Sequence, residues 1–136
     1  MDTNIYLHFN GNCEEAFKFY EKNLGGKVQG VFRYKDSPMA DQTPAESKDK
    51  VLHSRMTIGD KIIMGSDAAD GRYSKPGGFS INIDSKDVAE AERIFNAMSE
   101  GGQVHMPFGE TFWATRFGMW VDKFGIPWMV NVEKPI

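Results

Sequence analysis

The 136-residue chain has a single cysteine, Cys13, which excludes an internal disulfide and fits a reducing compartment. At the first apolar position of an expected helix, Cys13 reads as a small buried hydrophobe rather than a nucleophile. No stretch approaches about eighteen consecutive apolar residues, and the opening MDTNIYLHF has neither a charged leader region nor a sufficient apolar run. No membrane partner and a cytoplasmic location are therefore expected. Basic residues are not in excess: 16 Lys and Arg stand against 19 Asp and Glu, a net charge of −3. That leaves no basic face to neutralise a run of phosphates, so nucleic acid is not an expected partner. There is no G-x-S-x-G elbow, no G-x-x-x-x-G-K, no C-x-x-C and no Gly-rich dinucleotide turn between a strand and a helix.

The organising stretch is Arg116 to Val132, RFGMWVDKFGIPWMVNV. Two apolar runs, Phe117–Val121 and Ile126–Val132, flank a turn ending in Gly125, which predicts a β-hairpin. A shorter counterpart flanks Gly59-Asp60, with Val51–Ile58 before it and Lys61–Gly65 after.

In chain order, Ile5–Phe9 reads as a strand. Asn12 with Glu15 reads as a capping box opening a helix to about Leu24, which buries Cys13, Ala16, Phe17, Tyr20 and Leu24 and ends at Gly25-Gly26. Val28–Tyr34 is the next strand. Residues 35–50, with two prolines and many charges, read either as a surface excursion or as a flap over a pocket. After the first hairpin, 66–78 is a Gly-, Ser- and Pro-bearing connector. Phe79–Ile83 then alternates as a strand, and Asp87 with Glu90 opens a second helix burying Val88, Ala91, Ile94, Phe95 and Met98. Gly101-Gly102 closes it, and a short strand near Val104 precedes the last hairpin. Sliding the chain by 76 residues lays Phe19 on Phe95 and Gly25-Gly26 on Gly101-Gly102. The expectation is one α+β domain, 1–136, of two βαβββ modules: 1–67 and 79–136, joined by a connector at 68–78. A single ferredoxin-like module is the alternative, opposed by eight strands and two Gly-Gly helix ends.

Ala16-Phe17-Lys18-Phe19-Tyr20 before Leu24-Gly25-Gly26, and Asp122-x-x-Gly125-Ile126-x-Trp128, resemble the vicinal oxygen chelate superfamily of glyoxalases, bleomycin-resistance proteins and extradiol dioxygenases. Within it, Val51-Leu52-His53-Ser54, Met64-Gly65-Ser66-Asp67 and Asp122–Trp128 resemble the PhnB-like branch. The resemblance implies curled mixed sheets forming a cup with a small-molecule pocket, and a homodimer. In metal-dependent members, two strand positions per module hold a divalent cation that polarises two vicinal oxygens. Those positions fall here on Ile5, Met64, Gly78 or Ser80, and Met129, none a plausible ligand. No cofactor is therefore expected; a divalent metal would need non-standard ligands such as His8, His53 and Asp67. His8 lies an odd number of residues from Ile5 and is expected to face away from the pocket, and His105 has no partner by spacing. Some members of the branch carry a ubiquinone methyltransferase label, which nothing in the sequence supports.

Pocket candidates are Arg55, Ser80, Asn82, Trp113, Arg116, Trp120 and Trp128. Guanidinium groups on strands can fork to a carboxylate or phosphate, and are also found at exposed edges or in ion pairs. Tryptophans hold flat ligands, and equally fill cores and interfaces. Met56, Met64, Met119 and Met129 suit a permissive apolar surface or ordinary core. The expected function is binding of a small molecule not readable from the sequence. The alternatives are a metal-dependent lyase or dioxygenase, a drug-sequestering resistance-type protein, and a structural dimer without ligand.

Overall fold

The structure, a computed structural model, describes residues 1–69 and 71–135. It divides into two compact units, Met1–Ser74 and Lys75–Ile136. The division falls inside the 68–78 connector, of which Asp70 lies outside the described residues, as does Ile136 at the end of the second module. No helix among the described residues is long and apolar enough to cross a membrane.

In the first unit, β1 (Ile5–Phe9), α1 (Cys13–Leu24), β2 (Lys27–Arg33), β3 (Val51–Ile58) and β4 (Lys61–Asp67) build a four-stranded mixed sheet in the order β1-β4-β3-β2. The β1–β4 pair is parallel and the others antiparallel. The helix forms because Cys13, Ala16, Phe17 and Tyr20 recur at helical spacing and all are buried. Leu24, expected in that stripe, is only half-buried; Asn23 takes the buried place and donates to the Phe19 carbonyl at 2.9 Å. Gly25 ends the helix at φ 72°.

The capping box expected at Asn12 is not made. Asn12 holds the cap position without a side-chain bond, and its Oδ1 is buried without a partner. The Cys13 N–H instead donates to Asp67 Oδ1 at 2.9 Å, and Asp67 Oδ2 accepts from the Val51 N–H at 2.8 Å. A carboxylate delivered by the end of β4 complements the partial positive charge of the helix start better than a neutral amide, so the distant residue wins.

Residues 34–50 are neither a free flap nor a shapeless excursion. They form three short 3-10 turns, Tyr34–Asp36, Ala40–Gln42 and Ala45–Ser47. Their base is closed by Tyr34 N–H to the Lys50 carbonyl, Lys35 N–H to the Lys48 carbonyl and Tyr34 Oη to the Asp67 carbonyl, all at 3.0 to 3.1 Å.

In the second unit, β5 (Ile81–Asp84), α2 (Val88–Ser99), β6 (Gln103–Gly109), β7 (Ala114–Val121) and β8 (Pro127–Glu133) repeat the plan in the order β5-β8-β7-β6. β5 starts two residues later than expected and leaves Phe79 exposed outside it. Asp87 caps α2 through the Ala89 N–H at 2.9 Å. Glu90 does not close a box; Ser85 Oγ stands between, donating to Glu90 and accepting from the Asp87 N–H. Neither sheet is closed: β1 and β2 are edges of the first, β5 and β6 of the second.

Facing follows from two glycines. A Cβ on Gly65 would sit 2.9 Å from the Phe17 ring, and one on Gly118 would sit 2.7 Å from the Phe95 ring. These residues therefore face the helices, with their ladder partners Leu7 and Ser54 in the first sheet and Val130 in the second. Their neighbours in sequence point the other way.

Candidate functional site

The helix-free face of the first sheet carries the chemistry. Tyr6, Met64 and Arg55 are successive ladder partners across β1, β4 and β3, with Gly30 of β2 beyond Arg55. The next row holds His8 beside Ser66, and His53 beside Phe32. Tyr6 binds the cluster together: its ring lies 5.1 Å from that of His8 and 5.8 Å from that of His53, and its hydroxyl is 3.3 Å from His53 Nδ1. Phe32 is 62% exposed and Tyr6 39%. Lys27 and Thr57 share the face further along, and no Asp or Glu occupies a ladder position on it. Among the described residues Arg55 forms no ion pair. At the ends of β1 and β4 the face runs into an open groove of about 350 Å³, whose lining includes His8, Tyr34, Ser66 and Arg72 and also Asp67, whose carboxylate two backbone N–H groups hold.

Several expected site residues fall elsewhere. His8 faces the same side as Met64, Arg55 and His53, not away from it, whereas Ile5 pairs with Ile63 on the helix side with Leu7 and Phe9. The residue opposite Met64 is Tyr6, and the one opposite Met129 is Asn82. The position expected at Ile5 therefore lies one residue away, at Tyr6. Gly78 and Ser80 precede β5. Asp67 cannot join His8 and His53, because it is 2% exposed, on the helix side, with both oxygens bound to backbone N–H groups. Among the described residues no group of three or more His, Cys, Asp or Glu converges.

Trp120 and Trp128 are core, not pocket. Each is 1% exposed, and they stack in parallel with centroids 6.4 Å apart. Phe95 of α2 meets Trp120 edge-on at 5.5 Å, and Trp128 Nε1 donates to Asp122 Oδ2 at 2.8 Å. Met56 is likewise fully buried on the helix side, leaving Met64, Met119 and Met129 on helix-free faces. Asn82 lies exposed on the helix-free face of the second sheet. Trp113, 45% exposed, lies 5.2 Å from the Phe117 ring. Arg116 is half-buried opposite Val132 and donates to the Thr115 carbonyl at 2.7 Å.

Burial, with Asp67 and Glu14 adding to it, pushes the Cys13 thiol far up, which removes it as a nucleophile. Near it, Arg33 pairs with Glu14 at 2.7 Å and holds that carboxyl below its ordinary value. Sequence reasoning passed over Tyr6, Phe32 and Arg72. Tyr6 was within reach as the alternate of Ile5 in a strand; Arg72 was not, lying in a connector with no periodicity.

The comparisons with known proteins agree on the architecture. Protein YjdN of Escherichia coli K12 is 34% identical over 98% of this chain and 97% of its own. The crystal structure of PA1353 from Pseudomonas aeruginosa superposes with a TM-score of 0.87 at 46% identity, covering 99% of each chain. The PhnB protein of Bacillus cereus gives 0.84 at 21%, over 97% of this chain and 99% of its own. A glyoxylase/bleomycin resistance protein/dioxygenase domain from Frankia gives 0.69 at 11%, over 98% of each, which shows the shared fold. The family model described as 3-demethylubiquinone-9 3-methyltransferase matches residues 2–131, and the chain belongs to that family, with the fold of the glyoxalase/bleomycin resistance/dioxygenase proteins.

Proposed function

We propose that the chain is a small-molecule-binding protein that works without a resident metal and receives its ligand on the helix-free face of the first sheet. The observation that carries this reading is the row Tyr6–Met64–Arg55, exposed at Tyr6 and Arg55 and half-buried at Met64, flanked by His8, His53 and Phe32 and continuous with the groove at His8. Rings and a thioether offer apolar contact, and a strand-borne guidanium-type donor, the Arg55 guanidinium, fixes orientation. In the first sheet Tyr6 and Met64, in register across β1–β4, supply a phenol and a thioether; in the second Asn82 and Met129, in register across β5–β8, supply an amide and a thioether. Zinc, nickel, iron or manganese would be poorly served by either pair, so no step is routed through a metal.

The family's descriptive name is a methyltransferase, an activity we do not carry to this chain. The start of α1, where a helix can receive an anionic group, is already taken by the Asp67 carboxylate. A homodimer in the cytoplasm is part of the same proposal, by analogy with the superfamily.

One rival has an observation in its favour. His8 and His53 share a face, which suits a metal-dependent lyase or dioxygenase with non-standard ligands. Elemental analysis of purified protein, before and after dialysis against chelator, with thermal melting under each divalent cation, separates the two. We expect less than a tenth of an equivalent of any transition metal, roughly, and no ion-specific shift of the melt. One metal per chain, lost together with several degrees of melting temperature on chelation, sinks the metal-free reading.

A further inference from the structure

We propose that the first sheet's helix-free face selects flat organic anions, a planar body carrying a carboxylate or phosphate, over neutral and cationic compounds of the same shape. The inference rests on the binding reading above and adds the charge class of the ligand. Three observations carry it. The face presents Lys27 and Arg55 and no carboxylate at any ladder position, in a chain whose acids outnumber its bases, 19 to 16. Arg72 adds a second guanidinium to the lining of the adjoining groove, where Asp67 is 2% exposed and its carboxylate is held by the Cys13 and Val51 N–H groups. Finally, Arg55 stands two strands from Tyr6 with Met64 between them. Strand spacing makes that about 10 Å from backbone to backbone, so a ring lying over Met64 beside Tyr6 has the Arg55 strand on its other side, where the long Arg55 side chain can meet an attached anionic group.

The corresponding face of the second sheet differs. Asn82, Asp84, Met119, Met129 and Asn131 line it, with a carboxylate among them and no guanidinium in the middle row. A flat cation of the kind a drug-sequestering protein holds would lack a counter-charge on the first face.

Titration calorimetry of the full-length protein with benzoate, phenyl phosphate, benzamide and benzamidine tests the proposal, the four sharing one ring and differing in charge. One or both anions are expected to bind at least about ten-fold tighter than benzamide and benzamidine, since charge-assisted bonds are the stronger ones. Whichever anion leads names the head group. Arg55→Ala is expected to abolish the preference and Arg55→Lys to restore part of it, with unchanged melting temperatures; Arg116→Ala, in the second unit, is expected to leave it intact. Equal or tighter binding of benzamide or benzamidine overturns the anion inference while leaving a binding face. Absence of binding by all four overturns both readings, and a native mass that then falls on Arg55→Ala assigns the face to a second copy of the chain.

Discussion

Asp67 shows why single residues are hard to assign from sequence. As a metal-ligand candidate it was marked by its place after the first hairpin, yet it spans α1, β3 and β4 through two backbone N–H groups. The partner at Cys13 is 54 positions away, so no local pattern reveals the bond. Cys13 itself was legible, because its helical position already implied burial. Arg33 and Glu14 form a partly exposed pair at 2.7 Å, with the Glu14 carboxyl held below its ordinary value of 4.5, chiefly by the hydrogen bond from Arg33. A carboxyl lowered in the fold contributes stability above the unfolded value and loses it as pH falls through the folded one. Glu14→Gln is therefore expected to cost about 0.5 kcal/mol at neutral pH, after allowing for solvent screening. Denaturant titrations of both proteins at stepped pH should show that difference closing below pH 4.5; a gap that persists at low pH would mean the effect is not ionic.

The last hairpin was the most legible element, and the reason for its motif was not. Asp122-x-x-Gly125-Ile126-x-Trp128 is a turn built around one buried carboxylate. Asp122 Oδ1 accepts from the Phe124 and Ile126 N–H groups at 2.8 and 3.0 Å, Oδ2 accepts the Trp128 indole N–H, and Gly125 supplies φ 91°. Asp122→Ala strands three buried donors and is expected to cost about 2–4 kcal/mol, read as a loss of melting temperature and of denaturant midpoint. A loss under about 0.5 kcal/mol would show that the turn holds without it. The facing of β1 went the other way. Its existence followed from Ile5–Phe9, but its phase depends on Leu7 and Phe9 packing under α1, which turned Tyr6 and His8 to the helix-free side. Trp120 and Trp128 were open to either reading, since a strand that packs a helix and one that lines a cleft can show the same alternation; contact of Phe95 with Trp120 decides for the core.

At the scale of the whole molecule the strand-helix-strand-hairpin plan repeats element for element, with the 76-residue offset kept at β1/β5 and β2/β6 and shortened in the hairpins by the absence of a counterpart to residues 34–50. Tyr6 corresponds to Asn82, and both sheets have the same strand order and the same parallel pair. What diverged is the chemistry of the helix-free faces, aromatic and cationic in the first unit, amide and methionine in the second. The repeat was readable because helix ends and hairpins leave local marks; the divergence was not, because it depends on phase. The methionines make the central claim measurable. Met64 sits on the proposed binding face, while Met56 and Met98 are fully buried on the helix sides of their sheets. In a methyl-labelled methionine NMR spectrum titrated with benzoate, the Met64 methyl is expected to shift with the bound fraction while Met56 and Met98 stay in place. A Met64 methyl that does not move at saturating benzoate, whatever the other methyls do, contradicts ligand binding on the first sheet.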